Sequence, residues 1–202
     1  MKRSIEAIRR QELSEAAFEV MTRHGLSGTT VARVAQCAGM SQGMVHHYFT
    51  SKADLLEAAM WEVTRKYRRI VVEEVRKHDS ARGKLNAVIE TGFTPQMFQQ
   101  HFARAWLSFC GEAAFIPQYA RLQAFMFNRM QSNFAAYLRQ LISADQVRQA
   151  ARMLCMQSHG IWLRCALDAE GVSREEALTQ MYRLADTLLA EAEAKTVRSA
   201  AR

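Results

Sequence analysis

Helix-breaking residues are scarce in this chain and sit at the ends of stretches with apolar residues every three or four positions. Nothing else in the sequence constrains the fold as strongly. Only 2 of the 202 residues are proline and 9 are glycine, too few for the tight turns of an all-β chain. Residues 5–24 place Ile5, Ile8, Leu13, Ala16, Ala17, Val20 and Met21 at roughly helical spacing, and Gly25 follows as a C-terminal stop. Thr29 and Thr30 can cap a short second helix carrying Val31, Val34, Ala35 and Ala38, which Gly39 ends. Ser41 opens a third helix through Tyr48. The run Ser51 to Asp54 opens a fourth, longer one, expected to reach about His78, with Asp54 in its positively polarised first turn.

Beyond the fourth helix, residues 79–83 read as a loop and Lys84 to Thr91 as a helix ended by Gly92. Thr94 followed by Pro95 predicts a helix start there. Pro117 begins a helix expected to run to about Leu141, and Ser143 one to about Ala169, which Gly171 breaks. Ser173 to Glu176 fits a capping box for a last helix to about Ala192, with a frayed tail after Lys195. The expectation is an all-α fold of about nine helices.

The segment Thr29–Phe49 carries the strongest functional signal. Two short helices joined by a glycine-containing turn form a helix-turn-helix. Val34, Ala35 and Ala38 would face Val45 and Phe49 in the crossing, and Gly39 would supply the turn. The second helix of such a unit enters the major groove of DNA. Here it would expose Ser41, Gln42, Gly43, Met44, His46, His47 and Tyr48. Serine and glutamine bond base edges or phosphates, and histidine and tyrosine reach phosphates. Gly43 lets the backbone come close, and Lys52 opens the next helix where a phosphate is welcome.

Charge placement agrees with such a partner. The chain carries a formal +7, and from Val20 to Ala53 there is no Asp or Glu, while Arg23, Arg33, Lys52 and three histidines lie there. A surface facing phosphates must lack acids. The basic run Arg65, Lys66, Arg68 and Arg69 reads as a solvated helix face, with an auxiliary phosphate contact as the alternative. His46 and His47 are neighbours and point to different sides of a helix, so no metal site is expected.

This segment closely resembles the N-terminal signature of the TetR family of repressors. Thr29, Thr30, Ala38, Gly39, Ser41, Gly43, Tyr48, Phe49, Lys52, Leu55 and Leu56 carry the likeness, and Met40 stands for the usual valine. The resemblance implies base reading by Gln42, Gly43 and His46, and phosphate contacts from Thr30, Ser41, His47, Tyr48 and Lys52, with Thr29 as a cap. It implies double-stranded DNA with a near-palindromic operator as partner, a head over residues 1–52, and a ligand-binding and dimerisation body over 53–202.

Further segments are similar to the choline-sensing, BetI type of this family. They are Ile8–Leu13, Gly43–Phe49, Ala105–Phe109, Tyr119–Gln123 and Gly160–Leu167. That similarity implies choline or another quaternary ammonium as effector, since such a cation is attracted to aromatic faces. The implied ligand residues are Trp106, Phe109, Tyr119 and Trp162, assisted by a carboxylate such as Glu112 or Asp168. Cys110 stands where the pattern has a second aromatic. Helices near 150–169 and 175–190 would form the homodimer interface as a four-helix bundle. A regulator of another ligand, such as a lipophilic cation or drug, is the alternative reading.

Other classes find less support. Cys37, Cys110, Cys155 and Cys165 include no C-x-x-C pair and read as reduced core residues. No H-E-x-x-H, G-x-S-x-G or phosphate-cradling loop is present, so neither an enzyme nor a cofactor is expected. No apolar run reaches membrane-spanning length, and the expectation is a cytoplasmic protein.

Overall fold

A computed structural model describes residues 4–168 and 170–200. Among these lie nine helices and no strand: α1 (Ile5–Gly28), α2 (Val31–Cys37), α3 (Gln42–Tyr48), α4 (Lys52–Val75), α5 (Ala81–Thr91), α6 (Gln100–Ala113), α7 (Pro117–Leu138), α8 (Ala144–Leu167) and α9 (Arg174–Ala200). The all-α expectation holds. Gly25, Gly39 and Gly171 all take positive φ, at 69°, 64° and 72°, the left-handed region that a side chain resists. Each therefore breaks the chain where the sequence places a stop.

Several boundaries differ from expectation, each for a local reason. α5 begins at Ala81 rather than Lys84, because Ser80 Oγ accepts from Gly83 N at 3.0 Å and caps the helix one turn early. Thr94 and Pro95 do not open α6. They make one isolated turn, with Phe98 N donating to Thr94 O at 2.8 Å, and the helix proper starts at Gln100. The side chain of Phe98 is buried in that turn against Phe93 and Trp162, with ring centroids 5.0 and 5.4 Å away. α4 stops at Val75 and α7 at Leu138, short of expectation. α9 runs on to Ala200 instead of ending near Ala192. The expected end of α8 at Ala169 lies outside the described residues.

The described chain falls into two compact units. One takes in the chain through Tyr67 together with Arg104–Gln123, the other Arg68–Ala103 together with the chain from Ala124 onward. In the first unit, Leu13, Ala16, Ala17 and Val20 of α1 form a core with Val34 and Ala35 of α2, Val45 of α3, Phe49, and Leu55 and Ala59 of α4. Leu55 and Ala59 lie beyond residue 52, so the start of α4 is part of the head's packing. In the second unit α9 packs on α5 and α8, burying Leu85, Ile89, Leu154, Ala177, Met181 and Ala185. Polar contacts tie α9 to α5: Tyr182 Oη donates to Glu90 at 2.5 Å, and Arg82 pairs with Asp186 at 2.6 Å.

The cysteines are free, as expected, but not all lie in the core. Cys155 and Cys165 are buried, Cys110 is half-buried and Cys37 is exposed. Burial pushes the Cys110 and Cys155 thiols up to about 12, which keeps them protonated and unreactive at neutral pH.

At Gly39 an added Cβ would meet no atom within 4 Å, so substitution there costs backbone strain alone. Gly39→Ala should lower the unfolding free energy in urea by about 1–2 kcal/mol. An unchanged midpoint would show that the turn does not need its left-handed residue.

Candidate nucleic-acid interface

The α2–α3 unit is built from local caps and one buried seam. Thr30 is the N-cap of α2, its Oγ1 accepting from Arg33 N at 3.3 Å. Thr29, expected as the cap, is instead buried, and its hydroxyl donates to Gly25 O at 2.7 Å across the break in α1. Thr30 therefore carries the cap, and Thr29 serves the packing at the end of α1. Ser41 caps α3 by accepting from Met44 N at 3.2 Å. Val45 and Phe49 are 1% and 2% exposed and turn inward. Ser41, Gln42, Gly43, His46 and His47 are exposed on the other side, with Tyr48 half-buried. His47 and Tyr48 meet edge to face at 4.9 Å.

The next helix is set by a reciprocal cap. Ser51 Oγ accepts from Asp54 N at 3.1 Å, while Asp54 accepts from Thr50 N at 3.1 Å. One orphan donor in the first turn of α4, Asp54 N, is thereby satisfied, and Asp54 ties down Thr50 just before the helix.

The cations of the acid-free stretch are partly committed within the protein. Arg23 pairs with Glu19 at 2.5 Å. Arg33 donates to Gly28 O at 2.6 Å and Lys52 to Leu26 O at 3.0 Å. Both accepting carbonyls lie in the last residues of α1, beyond the Gly25 break. Lys52 remains exposed, and its ammonium has three donors, so the bond to Leu26 leaves capacity for a phosphate. In the basic run of α4, Arg65 pairs with Glu62 at 2.6 Å and Lys66 with Glu15 at 3.1 Å. Those two bonds favour the solvated-face reading for that part of the run.

Gly43 has no conformational reason within the chain to be glycine. Its φ is not positive, and an added Cβ would meet only Ser41 Oγ at an ordinary 3.8 Å. The residue lies on the exposed side of α3, so the room it leaves is room for something outside the chain.

The aromatic residues of the body divide between the two units. In the first, Phe109 of α6 and Tyr119 of α7 are buried with ring centroids 5.1 Å apart, and Trp106 is half-buried on α6. The Tyr119 hydroxyl is pushed up to about 12 by burial, with the carboxylates of Glu112 and Glu57 adding to it. Gln123, one turn further along α7, has a buried Oε1 without a hydrogen-bond partner. In the second unit, Trp162 of α8 donates its Nε1–H to Gly92 O at 3.1 Å and packs edge-on against Phe98. Asp168 pairs with Arg164 on the same stretch of chain. Sequence reasoning missed Glu57, which a one-dimensional reading cannot bring to Tyr119. The unexpected turn at residues 94–99 sets the buried place of Phe98.

Known proteins resemble this chain along nearly its whole length. Residues 13–59 match the family model described as bacterial regulatory proteins, tetR family. Residues 81–190 match that of the BetI-type transcriptional repressor, C-terminal. The HTH-type transcriptional regulator BetI of Pseudomonas paraeruginosa is 33% identical over 192 residues, 94% of this chain and 98% of the relative. That of Cronobacter sakazakii is 33% identical over 180 residues, 88% and 89% of the two chains. Among solved structures, a transcriptional regulator from Pseudomonas aeruginosa PAO1 has a TM-score of 0.80 at 24% identity, covering 96% of each chain. A transcriptional regulator from Saccharomonospora viridis in complex with choline has a TM-score of 0.80 at 19% identity, covering 89% of this chain and 96% of that one.

Gly43→Ala separates folding from recognition. Alanine favours the helix by about 0.5–1 kcal/mol, so thermal stability should hold or rise. Affinity for duplex DNA should nevertheless fall, as read by fluorescence anisotropy. Full affinity in a stable Gly43→Ala protein would remove α3's first turn from the contact surface.

Proposed function

This chain belongs to the TetR family of bacterial regulatory proteins, with a BetI-type C-terminal body, and from that membership we propose that it senses choline or another quaternary ammonium. It is a DNA-binding transcriptional repressor and not an enzyme. The genes under its control, on this proposal, serve glycine-betaine synthesis or choline uptake, and it acts in the cytoplasm. Gln42, Gly43 and His46 read bases, while Thr30, Ser41, His47, Tyr48 and Lys52 hold phosphates. The observation that carries the DNA face is Gly43, exposed and unconstrained by its own chain.

For the effector, the supporting observation is the pair Phe109 and Tyr119 under the negative field of Glu57 and Glu112. A cation gains roughly 0.5–2 kcal/mol from each well-placed ring, and carboxylates add to that attraction. Trp106, on the same helix as Phe109, is the third candidate ring of this unit. The choline complex of the Saccharomonospora viridis regulator supports the same ligand class.

Helix α4 offers a route for the signal. Leu55 and Ala59 belong to the head's core, and Glu57 between them bears on Tyr119. A cation that neutralises Glu57 changes the charge on the helix that carries the head. The effector then favours states in which the head is wrongly placed for DNA, and operator affinity falls by that preference.

A homodimer would present two such heads to a near-palindromic operator. The α8 surface supports this. Met153, Met156, Leu163 and Leu167 are exposed at helical spacing, with Met156 and Leu167 at 52% and 59%. Gly160 lies among them with nothing within 4 Å of an added Cβ. Such an exposed apolar stripe, on the side of α8 not buried within the chain, is suited to a second copy.

Two measurements test these readings. Calorimetry should show choline binding that Trp106→Ala weakens by about 5–30-fold, a loss of 1–2 kcal/mol. Heat with tetraphenylphosphonium and none with choline would replace the choline reading by that of a lipophilic-cation sensor, for which Cys110 in place of an aromatic leaves room. In sedimentation velocity, Met156→Glu should convert a dimer into monomers. A dimer unaffected by that charge would place the interface elsewhere.

A further inference from the structure

We propose that Arg10 of α1 is the positioning residue that sets the pose of α3 on DNA; this rests on α3 being the reading helix. Its Nη1 donates to the carbonyl of Tyr48, the last residue of α3 and 38 positions away in sequence. Its guanidinium carbon lies 4.4 Å from the centroid of the Phe49 ring. Phe49 is in turn buried in the head's core. One side chain thus grips both the end of the reading helix and the ring that follows it.

The need for such a grip comes from the length of α3. It has seven residues, and a helix that short cannot fix its own axis through internal hydrogen bonds. Ser41 caps its start and Val45 buries its middle, which sets rotation about the axis. Tilt is left to whatever holds the far end, where the last carbonyls have no partner in the helix. Arginine suits that end because its charge complements the helix C-terminus. Its planar fork can also donate in-plane while stacking on a ring, which an ammonium cannot do.

The neighbouring contacts keep Arg10 in this role. Arg9 turns to Glu12 at 2.7 Å. The carbonyl of Arg10 accepts from Ser14 Oγ at 2.8 Å, which anchors the backbone below the side chain. Arg10 itself is half-buried, whereas Gln42 and His46 are fully on the surface. Its influence on DNA therefore passes through α3.

The test compares specific and non-specific binding by the full-length chain. The wild-type protein selects an operator from a pool of random-sequence duplexes. Affinities for that operator and for poly(dI-dC) are then measured across a salt series, for wild type, Arg10→Lys and Arg10→Met. Both variants should bind the operator about tenfold or more weakly, with poly(dI-dC) affinity within about twofold of wild type and its salt slope unchanged. Arg10→Lys keeps the charge and loses the planar grip. Its defect therefore distinguishes positioning from electrostatics, and it serves if Arg10→Met does not fold. Equal losses on both DNAs with a shallower salt slope would make Arg10 a phosphate contact and overturn the proposal. So would full operator discrimination in Arg10→Lys. A wild-type chain that enriches no sequence would overturn the reading role of α3 itself, and this proposal with it.

Discussion

Two seven-residue helices cannot stand alone in water, and everything this protein does with DNA depends on the surface that α1 gives them. The nucleation cost of a helix outweighs the few bonds that α2 and α3 can each close. What holds them is the burial of Val34, Ala35, Val45 and Phe49 against Leu13, Ala17 and Val20. Roughly 1.5–3 kcal/mol accompanies full burial of a large apolar side chain, so this small seam outweighs any propensity term in the segment. Because the seam uses one face of α3, the other face is free of folding duties. Gln42, Gly43 and His46 occupy that free face.

The head was legible in the sequence because its determinants are local. Gly25 and Gly39 mark breaks through their positive φ, and Ser41 and Ser51 mark helix starts through side-chain caps. The body was less legible where local chemistry and tertiary packing disagree. Thr94 and Pro95 have the composition of a helix start, yet burial of Phe98 between Phe93 and Trp162 holds the segment in a single turn. Ser80 and Gly83 read as loop residues, but together they form the cap of α5. Side chains acting across long separations were not legible at all. Arg10 at Tyr48 and Glu57 at Tyr119 come together only in three dimensions.

The candidate effector residues show the same division. Phe109 and Tyr119 pack as neighbours, and α6 and α7 carry them into the unit that also holds the head. Trp162 lies in the other unit, with its indole nitrogen committed to Gly92. Sequence similarity could nominate all four aromatics because it compares chains one position at a time. It could not show that three of them share a unit with residues 52–67, the part of α4 that packs in the head's unit.

Charge on that face follows a less obvious plan than a positive total suggests. Arg33 and Lys52 are each bonded to a backbone carbonyl at the C-terminal end of α1, and Arg23 is paired with Glu19. These cations first complete the fold of the head. The surface around α3 then owes its suitability for DNA as much to the missing acids as to free positive charge. On the proposed reading, neutral groups such as Gln42 carry little salt-dependent affinity for arbitrary sequences. A face built this way relies on correct placement against base edges, and placement is what a short helix cannot supply alone. The seam under Val45 and Phe49 and the grip of Arg10 on Tyr48 therefore bear on recognition itself, because they fix where those neutral donors point.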